Sequence, residues 1–203
     1  MGVDWGDIDW TGSASPMDLK SERLVALKGT SRVELHGFQR LGPEGIDDNA
    51  DLQIAFSSWP AKDVLHIVDS TLDLDSLLTG DVHIQGSMSR PSGAATLTSG
   101  AGAAYGVKFT KGTAQFKFFA ESVEIENLTA VVGGGDLNLK GTMSDISGVR
   151  SFNGAVDVNE VELEDLGLQP EAGPVVGGHV SGRVTLSGPI DKPYLIADRK
   201  SVG

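Results

Sequence analysis

The sequence predicts an all-β chain, an elongated and mostly antiparallel sheet of about a dozen short strands. Three observations carry this. Apolar and polar residues alternate with period two almost throughout. Glycine is abundant, 27 of 203 residues, roughly twice ordinary usage. Glycine- and proline-led turn signals separate the alternating segments. Aromatic residues make up only 6% of the chain, so its apolar positions fall mainly to Val, Ile and Leu.

In chain order, the alternating segments are Val33 and Leu35; Leu52, Ile54 and Phe56; Val82 and Ile84; and Ala114, Phe116 and Phe118. Val123 and Ile125, Leu137 and Leu139, Val156 and Val158, and Val184 and Leu186 follow. Residues two apart in a strand share a face, so each segment presents one apolar and one polar side. Turns are expected at Gly42-Pro43, at Arg90 to Gly93, at Lys111-Gly112, at Gly133 to Gly135 and at Gly188-Pro189. One segment departs from the pattern. From Pro60 to Asp69, Val64, Leu65 and Val68 cluster at helical spacing, which predicts a helix of about two turns begun by Pro60 or capped by Asp63. Its Val and Ile content leaves a strand as the alternative.

Charge and composition exclude several functions. A net charge of −12 and a pI near 4.6 repel phosphate backbones and anionic lipid surfaces, so no nucleic acid is expected as a partner. The absence of cysteine removes disulfides, thiolate metal sites and cysteine nucleophiles. The uncharged stretch from Pro91 to Val107 is mostly Gly, Ser, Thr and Ala, too polar for a membrane span. Asp4, Asp7 and Asp9 stand where a secretory leader would be basic and then apolar.

Catalytic and metal-binding patterns are missing. His36, His66, His83 and His179 lack zinc-ligand spacing, and His83 alternates with Val82 and Ile84, which places it toward solvent. Asp157, Glu160, Glu162, Glu164 and Asp165 form an acidic run. Glu160, Glu162 and Glu164 alternate with Val161 and Leu163 and so predict one solvated strand face rather than a catalytic pair. Gly133 to Asp136 is a single imperfect copy of a calcium-binding roll repeat, better read as a tight turn, and Asp47-Asp48-Asn49 lacks the spacing of an EF-hand. Gly100, Gly102 and Gly106 have the wrong spacing for a dinucleotide loop, Lys111-Gly112-Thr113 is no P-loop, and no nucleophile elbow occurs. No enzyme and no cofactor is expected. Trp5 and Trp10 are assigned to capping a core end, with lining a groove as the alternative.

Internal repetition is more informative. A phrase with Gly80, Val82, Ile84, Gly86 and Pro91 returns as Gly182, Val184, Leu186, Gly188 and Pro193. Shorter echoes end at Gly37 and Gly141. Weak repeat units therefore span about residues 77–141 and 178–198, within a single β-rich fragment, residues 1–203, of a longer repeat-like protein.

The segment Leu77 to Pro91 resembles the repeated "Gly-x-Val-x-x-x-Gly, three to five residues, Pro" phrase of the TamB and AsmA-like family. Val180 to Pro193 repeats it. Val123 to Gly141 is similar to that family's order of strand, Asn-Leu, glycine-rich turn and Leu-x-Leu-x-Gly. The resemblance covers about residues 20–198. It implies a periplasmic segment of an envelope-spanning protein, anchored in the inner membrane through a helix this chain lacks. It further implies a sheet curled into a taco-like groove that conducts phospholipid between membranes, a BamA-like outer-membrane barrel as partner, and a link to autotransporter assembly.

The residues supply a matching inner wall: Val82, Ile84, Leu97, Phe109, Phe116, Phe118, Val123, Ile125, Leu137, Leu139, Val156, Val158, Val184 and Leu186. Opposite positions such as Glu124, Glu126, Asn138, Lys140, Asp157 and Asn159 are polar. Periodicity alone favours a dry core against a second sheet; the resemblance favours the groove. The rival class is a β-sandwich or β-solenoid interaction module that binds proteins by strand addition at its sheet edges.

Overall fold

The computed structural model describes residues 4–40, 49–67, 73–87, 89–144, 150–166, 177–189 and 194–199. The expected turn at Gly42-Pro43, the pair Asp47-Asp48, Val68 and Asp69 of the expected helix, and Pro193 lie outside them. Twelve strands form one antiparallel sheet whose spatial order follows the chain. They are β1 (Asp7–Ala14), β2 (Asp18–Lys28), β3 (Ser31–Arg40), β4 (Asn49–Pro60), β6 (Leu77–Gly86), β7 (Ser92–Ser99), β10 (Lys111–Phe119), β11 (Ser122–Val132), β12 (Gly135–Ser144), β13 (Ser151–Glu162), β14 (His179–Pro189) and β15 (Tyr194–Arg199). The short strands β5 (Leu74–Asp75), β8 (Gly102–Ala104) and β9 (Val107–Phe109) make a second, three-stranded sheet. Helix α1 (Ala61–Ile67) begins directly after Pro60, where the sequence places its start, because proline's fixed φ suits a helix entry and needs no backbone donor.

The register separates the sheet into two chemically distinct faces. Paired residues point the same way, so Leu35, Ile54, Val82 and Ala95 fall in one row across four strands. Further along, Phe116, Ile125, Gly141, Gly154 and Leu186 form the equivalent row. Four strands keep this face apolar by carrying one extra residue. Glu22 and Arg23 lie opposite His36, Ser57 and Ser58 opposite Thr79, Glu126 and Asn127 opposite Lys140, and Asn159 and Glu160 opposite Ser181. Each bulge shifts the alternation by one residue, so Leu128, Ala130 and Val132 share a face with Val123 and Ile125 despite the change from odd to even numbers.

Side chains from the facing strand satisfy backbone groups that the bulges release. The Ser58 amide donates to Thr79 Oγ1 at 3.0 Å, the Glu160 amide to Ser181 Oγ at 2.9 Å, and His36 Nδ1 donates to the Glu22 carbonyl at 2.6 Å. Ser58 and Glu160 take positive φ angles of 51° and 50°. The expectation that Glu160, Glu162 and Glu164 share one strand face is therefore corrected. A bulge begins at Asn159–Glu160, and Glu164 belongs to a 3-10 turn, Leu163–Leu166. All three are exposed.

The largest buried side chains gather at one rim, where the strand ends carry a second layer. Ala26, Val33, Phe56 and Trp59 form a cluster under Val64 of α1 and under Trp5, whose indole stacks on Trp59 with ring centroids 5.6 Å apart. Phe109, Val132 and Val161 form another under the small sheet. Hydrogen bonds fasten both covers: Ala61 to the Ser76 carbonyl (2.9 Å), Thr110 to that of Val131 (3.0 Å) and Leu163 to that of Gly178 (3.0 Å). An ion pair between Lys28 and Asp63 (3.1 Å) ties α1 to the sheet.

Trp59, with no exposed surface, centres the first cluster. Trp59→Ala is expected to lower unfolding free energy by about 3–5 kcal/mol. Phe118→Ala, on the uncovered half of the same face, should cost roughly half of that or less. Urea unfolding of the two variants measures the difference; equal costs would contradict a core confined to the covered rim.

Candidate functional site

The apolar face is the most distinctive chemical feature of the molecule. Thirteen of the fourteen residues expected along an inner wall lie on it: Val82, Ile84, Leu97, Phe116, Phe118, Val123, Ile125, Leu137, Leu139, Val156, Val158, Val184 and Leu186. All thirteen are only half-buried; Val82, Leu97, Leu137 and Val158 pack against the two buried clusters, and the other nine belong to neither. A two-sheet core would remove them from solvent.

Phe109 is placed differently. It lies in β9, outside the large sheet, and is buried against Val132 and Val161. It approaches the apolar face from above, as part of the cover. The face also takes in Leu35, Leu52 and Ile54, which the same period-two signal identifies in the sequence, and Leu24, Leu128 and Phe152, which it does not single out; Leu128 is out of phase with Ile125 and reaches this face only through the bulge. Trp10 lies on this face in the edge strand β1 and is exposed, whereas Trp5 caps the first cluster.

Among the described side chains of this face one is charged, Lys28, and its ammonium is held by Asp63 at the rim. Every glycine of the large sheet also falls on this side. Aromatic rings lie over several of them: a Cβ built on Gly93 would sit 2.6 Å from the Phe118 ring, and one on Gly141 or Gly154 would sit 2.7 Å from that of Phe152. Missing Cβ atoms let rings lie flat on the backbone and reduce crowding on this side of the strands.

The opposite face is polar and laced with ion pairs. Glu34 accepts from Arg32 at 2.7 Å and from Arg23 at 3.4 Å; Arg183 meets Asp157 at 3.5 Å; and Lys117 pairs with Glu126. His83 lies on this face, as its phase predicts, with Nε2 2.8 Å from Asp51. A shallow hollow of about 470 Å³ opens where Ala55 and Ala94 sit among Glu34, His36, Asp81 and His83. Among the described residues no group of three or more His, Asp or Glu is placed to hold a metal ion, and no helix is long and apolar enough to cross a membrane.

Fold and site thus define a class by geometry: an all-β protein with one large antiparallel sheet, apolar on one side and polar on the other. No family model, curated protein or solved structure matches this chain.

The guanidinium of Arg32, hydrogen-bonded to Glu34, holds that carboxyl below the usual glutamate range; desolvation opposes that bond less strongly than the bond acts, and the charge of Arg32 and the weaker contact of Arg23 add to the lowering. A carboxylate shifted down contributes stability above its unfolded value and loses it as pH falls through its folded value. An NMR pH titration should therefore find Glu34 titrating below an ordinary glutamate, and Arg32→Ala should move it upward. An unshifted Glu34 in the parent protein would contradict the geometry of the pair.

Proposed function

We propose that this chain is a periplasmic segment of an envelope-spanning protein that conducts phospholipid along its apolar sheet face. One observation carries the reading: the face stays apolar across the eleven strands β1 to β14 of the large sheet, and away from one rim its large side chains are only half-buried. At about 4.8 Å per strand the path is roughly 50 Å long, a span suited to passing lipid along a wall rather than holding one molecule in a closed pocket. Acyl chains need no directional contacts, and each methylene removed from water contributes about 0.8 kcal/mol. Charges on such a wall would have to be desolvated, and the single one among the described side chains, Lys28, is paired at the rim. The one-sided glycines support a sheet that curls toward this face, since strands bend most readily toward their less crowded side.

By resemblance, the inner membrane provides the anchor of the full-length protein and a BamA-like outer-membrane barrel provides the partner. A second reading, a non-enzymatic module that binds proteins by strand addition, draws on the edges. All eight residues of β1 are exposed, and Tyr194 and Ile196 of β15 are 72% and 70% exposed.

Ile125→Glu separates the readings. It puts a carboxylate on the open half of the wall, opposite Gly141, and leaves the strand edges untouched. On the lipid reading the variant keeps the circular dichroism of the parent, while phospholipid co-purifying from a bacterial envelope, seen by native mass spectrometry, is lost. Unfolding of the variant at room temperature, or full retention of lipid, would contradict the reading.

A further inference from the structure

The two rim covers meet at a seam, and the seam holds an open hollow of about 540 Å³. Its wall comes from α1, from the junction of β5 and β6, and from the hairpin of β8 and β9. Among the described residues two ammonium-bearing side chains line it, Lys62 and Lys108, against one carboxylate, Asp75. Neither lysine has an ion-pair partner among the described residues. In this chain of net charge −12, Lys20, Arg23, Lys28, Arg32, Arg40, Lys117 and Arg183 do sit within ion-pair distance of an acid.

Ser76 adds a second polar element. It lines the same hollow, is 9% exposed, and its Oγ makes no hydrogen bond. A buried hydroxyl without a partner is costly, and because this one is shut from solvent its side chain must turn to reach a ligand. Gly102 closes β8 over this serine: a Cβ there would sit 2.5 Å from the Asp75 carbonyl oxygen and 2.7 Å from Ser76 Cβ. Apolar groups flank the hollow. Leu77 in its wall is 52% exposed, and Tyr105, two residues beyond Ala103 at the hairpin tip, is 67% exposed.

We propose that this seam binds a phosphate group, its charge held between Lys62 and Lys108 and one oxygen taken by the Ser76 hydroxyl. Lysine serves phosphate as a compact point charge with rotatable donors, and two of them outweigh the single carboxylate. The phosphate belongs either to a phospholipid headgroup, with Leu77 and Tyr105 against the glycerol and upper acyl region, or to free phosphate. The headgroup form rests on the lipid reading above and deepens it, since it would seat the polar end of the lipid on the covered rim beside the apolar wall.

The test is an amide NMR titration of the full chain with two probes, inorganic phosphate and dihexanoyl phosphatidylglycerol. Inorganic phosphate has no acyl chain, so its arm reads the seam whether or not the apolar face takes lipid. The expected result is saturable shifts at Ser76, Gly102 and Lys108 with both probes, weakened about tenfold in the double variant Lys62→Ala, Lys108→Ala. Lys62→Arg, Lys108→Arg should keep binding, and Lys140→Ala on the polar face should leave it unchanged. Shifts with phosphate alone would assign the site to the free ion. Lipid shifts confined to the apolar face would leave the lipid reading standing and overturn the seam. Equal affinity in the double alanine variant, or no saturable shift with either probe, would also overturn it.

Discussion

Everything in this molecule depends on keeping one face of a large antiparallel sheet apolar from strand to strand. A pleated strand sends alternate side chains to opposite sides, so one unpaired slip in register would turn a row of charges onto the apolar face. The chain meets this constraint locally. Where its alternation slips, at Glu22–Arg23, Ser57–Ser58, Glu126–Asn127 and Asn159–Glu160, a bulge absorbs the extra residue and restores the phase. Every one of those pairs is polar, and in three the facing side chain takes up a backbone group of the bulge. Bulges also sharpen strand bending. The devices that hold the register are thus the ones that shape the sheet.

The same face has two fates. At one rim, Trp5, Trp59, Val64 and Phe109 help shut it from water and supply the dry core that anchors the strands. Away from that rim its large side chains stay half-buried, lending less to folding and remaining available to an apolar ligand. Stability and the proposed function therefore draw on different parts of one surface. A charge can be introduced on the open part without dismantling the core, whereas a cavity under Trp5 loosens the strand ends that define the wall.

Much of this was legible in the sequence, because period two is a direct image of the pleat. Val82, Ile84, Leu137, Leu139, Val184 and Leu186 could be assigned to one face from spacing alone, and Pro60 announced the helix that follows it. Long-range placement left no such mark. Val107 to Phe109 alternates like any strand, yet it folds into the cover, since nothing in three residues says which sheet will pair with them. The acidic run at Glu160, Glu162 and Glu164 looks continuous until Glu160 adopts a left-handed backbone. That choice is made by pairing with Ser181, some twenty residues away. The seam between the covers was equally hidden, because Lys62, Ser76 and Lys108 meet only once both covers have docked on the rim.

The central claim is that the open half of the apolar face contacts lipid. The most direct measurement is site-specific photo-crosslinking in a bacterial envelope, with the probe at Leu139 and, one residue along on the polar face, at Lys140. The account predicts phospholipid crosslinked at Leu139 and none at Lys140. Lipid at neither position in a folded protein would mean that protein, rather than lipid, covers the apolar face, and would contradict it.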